Sequence, residues 1–410
     1  MLNTSAFPHR LPRNFALLVT ALIAGQTFGT TATMTLPALA PKVAQSYGVH
    51  SSLIGYQISV LAAGMLFSLG FGGSLSRRWG ACRVTQVGLA LMTGGAALTV
   101  VPHLVFLLFA SIALGLGYGL LTPSASHLLM RFTPANRRNV IFSIKQTGVP
   151  LGGVIAAAVA PSTALAVGWQ WTMAGVAAVL ASLVLLLEVQ RARWDDDREP
   201  RTPLVANPLG GVAIAWNDRA LRPLSFAGAC FVAVQICLST FTVVLFAEET
   251  GYSLVQAGLV LMVAQVGGVL GRVFWGWLAD RTGECLAALS MLALVLVLAC
   301  VLVLGISASW PVVAAYALFF VIGATASGWN GAFLAEVAKL SPRHAISSAT
   351  GGSLFFVNVG KLLGPLAFTN VYAFSASYAI AFASLAVPSA AGFVCLVVAQ
   401  KAVRLRLAGR

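Results

Sequence analysis

Long apolar segments alternate with short polar or basic stretches along the whole chain. The apolar segments run for roughly 17 to 25 residues, the length that an α-helix needs to cross about 30 Å of hydrocarbon. This pattern predicts twelve membrane-spanning helices, which we number as spans 1 to 12. Their predicted limits are Asn14 to Leu36, Leu53 to Leu75, Val84 to Val101, Leu104 to His127, Asn139 to Ala160, Trp171 to Leu187, Leu224 to Phe246, Val255 to Leu278, Cys285 to Ile306, Val312 to Ala335, Ile346 to Phe368 and Tyr378 to Val398.

The composition also indicates a membrane protein. Of the 410 residues, 59% are hydrophobic and only 9% are charged, and the mean hydropathy is +0.89. Soluble domains carry far more charge than this. We predict an all-α membrane protein with two six-helix bundles, residues 1–188 and 223–410, joined by a polar cytoplasmic linker at residues 189–222.

Positive charge is distributed unevenly between the loops. Of the 25 Lys and Arg residues, three lie inside apolar segments, Lys42 follows span 1, and the others lie in loops and tails on the opposite side. Because Lys and Arg are enriched in cytoplasmic loops, both termini are predicted to be cytoplasmic, in a bacterial inner membrane. This topology explains the net charge of +14, and no basic stripe with interleaved aromatic residues indicates a nucleic-acid partner.

The two halves of the sequence repeat each other. Gly73 to Gly80, after span 2, matches Gly276 to Gly283, after span 8, and Gln26 in span 1 matches Gln235 in span 7. Internal repeats of this kind are typical of secondary transporters. Glycines spaced four residues apart, such as Gly267 and Gly271, also predict close contacts between helices.

With twelve spans in two halves and G-x-L-x-[D]-R-x-G after spans 2 and 8, the whole chain resembles the major facilitator superfamily. The resemblance implies a monomer that works by alternating access, with conformational-switch loops at Arg77, Arg78, Asp280 and Arg281. The first loop departs from the family pattern because Arg77 stands where an Asp is usual. Ser111 in span 4 stands where proton-coupled drug exporters have an Arg, which disfavours drug export.

Three cations lie within apolar segments: Lys145, Arg272 and Lys361. The first acidic residue of the chain is Glu188, so the sequence before it offers no carboxylate to pair with a buried cation. A charged residue at the centre of a membrane helix costs about 2.5 to 3.5 kcal/mol, so such residues are candidates for function. Arg272 resembles the helix-8 Arg of monocarboxylate porters and oxalate:formate antiporters, and Lys361 resembles the helix-11 Lys of the antiporters. The resemblance implies that both bind a substrate carboxylate.

Alternatives remain for two of these cations. Arg272 lies near the predicted cytoplasmic end of span 8 and can instead snorkel or support the loop that follows, and Lys145 can also snorkel towards water. Neutral polar residues complete the predicted cavity, although each can simply bond a neighbouring helix. They are Gln26, Tyr118, Gln146, Gln235, Gln265, Trp329, Asn330 and Asn358.

The sequence contains no H-E-x-x-H, phosphate-binding Gly loop or paired intramembrane carboxylate, so an enzyme is not predicted. The six Cys residues have no C-x-x-C spacing, and no metal or cofactor is predicted. The leading hypothesis is a secondary transporter of a small organic anion, a mono- or dicarboxylate, with protons or a counter-anion as the coupling partner. The alternatives are a proton-coupled drug or amphiphile exporter and a non-transporting sensor or receptor on a transporter scaffold.

Overall fold

The computed structural model describes residues 15–101, 103–134, 137–202, 209–307, 309–342 and 345–408. The predicted first residue of span 1 and four of the predicted loop and tail cations lie outside these ranges. They are Asn14, Arg10, Arg13, Arg343 and Arg410.

The described residues are almost entirely helical, with 3-10 turns at Ser51–Leu53 and Val303–Gly305. The α-helices are α1 (Phe15–Ala38), α2 (Ala40–Tyr47), α3 (Ile54–Trp79), α4 (Ala81–Leu98), α5 (Leu104–Phe132), α6 (Arg138–Gln146), α7 (Gly148–Val167), α8 (Trp169–Trp194), α9 (Leu209–Asn217), α10 (Leu221–Glu248), α11 (Leu254–Thr282), α12 (Cys285–Leu302), α13 (Val312–Ala326), α14 (Trp329–Leu340), α15 (Ile346–Ser375), α16 (Tyr378–Ser384) and α17 (Ala386–Ala408).

Among the described residues, 11 helical segments are long and apolar enough to cross a membrane. They correspond to every predicted span except span 3. That span corresponds to α4, an 18-residue helix whose hydropathy is lowered by Arg83 and Gln86 in its first two turns. The predicted all-α membrane architecture is thus confirmed.

Two spans predicted as single helices are interrupted, which corrects the predicted limits. Span 5 divides at Thr147 into α6 and α7, and span 12 divides at Leu385 into α16 and α17. In each case a Pro lies four residues after the last residue of the first helix: Pro150 after Gln146, and Pro388 after Ser384. Because Pro has no backbone N–H, it cannot continue the hydrogen-bond ladder to that residue.

Span 10 is also interrupted, at Ser327 and Gly328, between α13 and α14. A Cβ atom at Gly328 would lie 2.4 Å from the Ala324 carbonyl oxygen and 2.4 Å from Cδ1 of Trp275. Only glycine fits such a close approach without rearrangement. The break therefore stands where α13 lies tightly against α11.

The chain forms two compact units, each discontinuous in sequence. Among the described residues, unit 1 comprises those within 1–33, 63–153 and 170–206, and unit 2 comprises those within 34–62, 154–169 and 207–410. Within unit 2, α9 forms inside the segment predicted as a linker, and Gly211 packs against the Ser348 carbonyl of α15. The division into bundles at residues 188 and 223 stays a prediction.

Close helix packing confirms the prediction made from the spaced glycines. In unit 2, a Cβ atom at Gly267 would lie 2.4 Å from the Phe320 carbonyl oxygen, and one at Gly271 would lie 2.1 Å from that of Ala324. The backbones of α11 and α13 are therefore in direct contact along a glycine seam, formed by Gly267, Gly271 and Gly323. Arg272 follows the last glycine of α11 in this seam.

Candidate functional site

The predicted site residues fall into two polar clusters, one in each unit. In unit 1, the Lys145 cluster comprises Lys145, Gln26, Gln146, Tyr118 and Thr30. In unit 2, the Arg272 cluster comprises Arg272, Ser327, Asn330, Gln235 and Lys361.

Lys145 lies inside unit 1 and is only 3% exposed. Its Nζ donates to Oε1 of Gln26 at 2.7 Å and to Oε1 of Gln146 at 3.2 Å. It occupies the last turn of α6, where the partial negative charge of the helix C-terminus favours a cation. In this structure, the lysine is therefore bound by neutral amide oxygens and does not snorkel to water.

The hydrogen bonds that continue from Lys145 have a defined direction. Nε2 of Gln26 donates to the Tyr118 hydroxyl oxygen at 2.8 Å, and Thr30 Oγ1 donates to the Gln26 carbonyl oxygen at 2.9 Å. A hydroxyl has a single hydrogen to donate, and that of Thr30 is used in the bond to Gln26. The tyrosine hydroxyl therefore donates the bond of 3.0 Å between Tyr118 and Thr30. Each side chain thus orients the next, and Gln26 is held with its oxygen towards the ammonium group.

Arg272 of α11 is bound to the break in span 10. Its Nε donates to the Ser327 carbonyl oxygen at 3.1 Å. The same oxygen accepts from Nδ2 of Asn330 at 3.1 Å, and this amide also donates to Oε1 of Gln235 at 3.3 Å. The carbonyl is available because Ser327 lies where the helical ladder is interrupted. The glycine seam brings it within reach of Arg272.

Lys361 lies on α15 of the same unit and is partly exposed. Its charge and that of Arg272 are close enough to act on one another. Two like charges repel, and the repulsion is strong where water is excluded. A bound anion would relieve it.

The remaining predicted cavity residues in unit 2 bond mainly to nearby protein groups. Nε2 of Gln265 donates to Ser239 at 3.1 Å, and Nδ2 of Asn358 donates to the Leu354 carbonyl oxygen of its own helix at 2.8 Å. Trp329 is 1% exposed, and its indole N–H donates to the Ala326 carbonyl oxygen at 2.9 Å. The contacts of Trp329 are those of a packing residue at the start of α14.

The two predicted switch loops differ at the start of the helix that follows them. After Gly80, the carboxylate of Asp195 accepts hydrogen bonds from the backbone N–H groups of Cys82 at 2.7 Å and Arg83 at 2.9 Å. Burial raises the pKa of Asp195, while these two N–H groups oppose the shift. In the second loop, Glu284 precedes α12 without a side-chain capping bond.

The residues predicted as switch loops lie instead in helices, because each helix continues to the turn: Arg77 and Arg78 are in the last turn of α3, and Asp280 and Arg281 are at the end of α11. Arg77 and Asp280 are exposed, and the Arg77 carbonyl oxygen accepts from the Glu199 N–H at 2.7 Å. Arg281 lies over the Trp277 ring. The first loop lacks the usual Asp at position 77. An aspartate from beyond α8 caps the helix that follows it.

Sequence reasoning missed two of these groups. The Ser327 carbonyl was not predicted because backbone groups become available only where a helix breaks, although Ser-Gly inside an apolar span was a visible signal. Asp195 was not predicted as a cap because it lies far from α4 along the chain. In the described part of the chain, no group of three His, Cys, Asp or Glu residues is arranged to hold a metal.

Comparisons with known proteins agree with this architecture. The family described as Major Facilitator Superfamily matches residues 21–365. The 4-hydroxybenzoate transporter PcaK of Pseudomonas putida is 25% identical over 400 residues, covering 88% of this chain and 87% of the relative. The gentisate transporter of Corynebacterium glutamicum is 26% identical over 343 residues, covering 79% and 73%.

A solved structure has the same fold. The crystal structure of a POT family transporter in complex with 5-aminolevulinic acid superposes with a TM-score of 0.77. The match covers 94% of this chain and 96% of that chain, at 15% sequence identity. At this identity, the likeness extends to the fold alone.

Proposed function

Because the chain belongs to the major facilitator superfamily, we propose that it moves a small organic anion, a mono- or dicarboxylate, across the membrane by alternating access. Membership of this family makes the chain a multi-pass membrane transporter and not an enzyme, as the sequence predicts. The proposal concerns its substrate and the residues that bind it.

Positive charge within the spanning helices, without a matching carboxylate, is the observation that carries the proposal. All 11 Asp and Glu residues of the chain lie within the described ranges. Within those ranges, neither Lys145 nor Lys361 forms an ion pair with any of them. Since buried charges are normally paired, a substrate anion is the natural partner for each cluster.

Arg272 is the residue we assign to the substrate carboxylate. A guanidinium group presents its N–H donors in a planar fork, and its Nε is bonded to Ser327. A planar fork of this kind suits two parallel hydrogen bonds to a carboxylate, which a lysine cannot form. Lys361 adds a second positive charge near this carboxylate.

The names of the relatives support a narrower substrate class. PcaK is named for 4-hydroxybenzoate and the Corynebacterium protein for gentisate, and both compounds are hydroxylated aromatic carboxylates. The clusters of this chain combine cations with neutral groups, Tyr118 and Gln26 in unit 1 and Asn330 and Gln235 in unit 2. Such groups can bind a substrate hydroxyl, so we propose an aromatic acid as the preferred cargo.

The experiment compares charged and neutral forms of one ligand. Purified protein is heated with 4-hydroxybenzoate, gentisate, succinate or the neutral 4-hydroxybenzamide, and the active compounds are tested by counterflow in proteoliposomes. A ligand that binds only the folded state stabilises it by about 2.7 kcal/mol at a hundredfold excess over its Kd. We expect the aromatic acids to stabilise the protein and exchange. Equal stabilisation by the neutral amide would refute an anion site.

Membrane orientation is the second part of the proposal, with both termini in the cytoplasm of a bacterial inner membrane. In a variant lacking the six native cysteines, Lys42→Cys should react with an impermeant thiol reagent added outside intact cells. Arg198→Cys should react only after the cells are opened. The opposite labelling pattern would reverse the orientation.

A further inference from the structure

We propose that Asn330 and Gln235 select a ring hydroxyl on the substrate: the Asn330 side-chain oxygen accepts a hydrogen bond from the hydroxyl, and the Gln235 side-chain nitrogen donates one to it. The protein then prefers hydroxylated aromatic acids to the same acids without the hydroxyl. The inference rests on the proposed function, because it requires an aromatic carboxylate as cargo.

The Ser327 carbonyl group fixes the orientation of both amides. A carbonyl oxygen can only accept, so the Asn330 side chain must turn its Nδ2 towards it, at 3.1 Å. The same nitrogen donates its second hydrogen to Gln235 at 3.3 Å, so Gln235 must present Oε1 at that point. The atoms left over in the two amides are Asn330 Oδ1 and Gln235 Nε2.

These two atoms have unused hydrogen-bonding capacity. In the part of the chain that the structure describes, Asn330 Oδ1 accepts no hydrogen bond and Gln235 Nε2 donates none. Neither atom is enclosed by protein, since both residues are only half-buried. Two amides that are bonded to each other therefore offer one acceptor and one donor to a ligand.

A hydroxyl group matches this pair of atoms better than other common ring substituents do. It donates one hydrogen bond and also accepts, so a single oxygen can bond Asn330 Oδ1 and Gln235 Nε2 together. A methoxy oxygen can only accept and therefore uses Gln235 alone. An unsubstituted ring position uses neither residue.

The pair lies beside the residue assigned to the substrate carboxylate. Arg272 Nε and Asn330 Nδ2 both bond the Ser327 carbonyl oxygen, each at 3.1 Å. These two nitrogens cannot lie farther apart than the two bonds placed end to end. An aromatic ring is a rigid spacer of similar size between a carboxylate and a hydroxyl, so one substrate molecule can reach Arg272 and the amide pair together.

The neutral side chains around Lys145 are already engaged with one another. Gln26 is 2% exposed, its Oε1 accepts from Lys145, and its Nε2 donates to Tyr118. The Tyr118 hydroxyl is also bonded to Thr30, at 3.0 Å. Both ends of this buried amide are occupied, which favours the Asn330 and Gln235 pair as the group that recognises a hydroxyl.

The test measures the affinity of the purified protein for a set of related acids by isothermal titration calorimetry. The probes are benzoate, 3- and 4-hydroxybenzoate, and 3- and 4-methoxybenzoate. We expect the wild type to bind the preferred hydroxybenzoate about tenfold more tightly than benzoate, a factor that two hydrogen bonds between neutral groups can supply. The matching methoxy acid keeps one of these bonds and should bind about threefold more weakly than the hydroxy acid.

Two variants each remove one half of the pair. In Asn330→Ala only the donor remains, so the hydroxy and methoxy acids should bind with equal affinity. Gln235→Met keeps the length of the side chain but not its donor, so the methoxy acid should bind no better than benzoate. The double variant should lose all preference for the hydroxyl. Asn217→Ala, at an exposed position on α9, is the matched control and should keep the preference of the wild type.

The ratio of affinities separates recognition of the hydroxyl from a structural role. If the two residues only supported the fold, their loss would weaken the binding of all five acids alike, and an unchanged ratio in the double variant would overturn the inference. A wild type that binds benzoate as tightly as both hydroxybenzoates would overturn it without any variant. If that protein still prefers benzoate to the neutral benzamide, the proposed function stands. If it binds none of the acids, the proposed function fails as well.

Discussion

Gln26 and Gln235 occupy matching positions in the two sequence repeats but make different contacts. Gln26 is 2% exposed, accepts a hydrogen bond from Lys145 at 2.7 Å and donates one to Tyr118 at 2.8 Å. Gln235 is more exposed and accepts a longer bond, of 3.3 Å, from Asn330. In unit 1 the glutamine binds the cation itself, whereas in unit 2 a backbone carbonyl does so.

This difference separates two ways of holding a cation within a spanning helix. The partners of Lys145 are side-chain amides, which a substitution can remove or convert into a carboxylate. The bond from Arg272 is to the Ser327 backbone, which side-chain substitution leaves in place. The role of Lys145 can therefore be tested by replacing its partner Gln26. The role of Arg272 must be tested by replacing the arginine itself.

Replacing Arg272 with lysine should have the largest effect. The substitution keeps the positive charge but loses the planar fork, so the side chain can no longer form two parallel hydrogen bonds to a carboxylate. We expect uptake of 4-hydroxybenzoate to fall by roughly 10- to 150-fold, equivalent to about 1.5 to 3 kcal/mol for a hydrogen bond to a charged group. Arg219→Lys, at an exposed position, is the matched control. Normal uptake by Arg272→Lys would leave Arg272 with a supporting role only.

Gln26→Glu should have the next largest effect. The new carboxylate would lie next to the Lys145 ammonium group, pair with it and compete with the substrate anion. We expect anion affinity to fall about tenfold, since one charged hydrogen bond is worth about 1.5 kcal/mol or more. Substrate titration by thermal shift measures the change.

The matched change in unit 2 is Gln235→Glu. It should weaken binding less than Gln26→Glu, because Gln235 contacts Asn330 and not the cation. Equal losses in the two variants would show that the two glutamines act alike, despite their different contacts.

Lys361→Gln should have a smaller and mixed effect. Anion affinity should fall several-fold, because one of two positive charges is lost. The unfolding temperature without ligand should hold or rise, because repulsion between Lys361 and Arg272 is relieved. A fall in ligand-free stability, with unchanged affinity, would make Lys361 a structural residue.

The smallest expected effect is that of Glu336→Gln. Its contact with Lys339 is long, at 3.8 Å, and the glutamate bonds neither cationic cluster in the described structure. Counterflow without a pH gradient should be retained. Loss of counterflow, in folded protein that still binds substrate, would identify Glu336 as an essential carboxylate.

The sequence was sufficient to predict the spans and the buried cations, because both depend on hydrophobic pattern and local charge. It did not predict the breaks at Thr147 and Ser327. Helix breaks depend on local backbone chemistry and on neighbouring helices, as Pro150 and the close approach at Gly328 illustrate. The contacts of Arg272 follow from the second break. The sequence therefore identified the arginine but not the Ser327 carbonyl oxygen that binds it.

For protein engineering, the glycine seam divides unit 2 into fixed and adjustable positions. A Cβ atom at Gly323 would lie 1.9 Å from the Ala264 carbonyl oxygen, so even alanine there would push α11 and α13 apart. Any such shift would move Arg272 relative to Ser327. Lys361, Asn330 and Gln235 lie outside the seam, and their side chains can vary without separating two backbones. A mutant library that aims to change the transported substrate should therefore vary these three positions and leave the glycines of the seam unchanged.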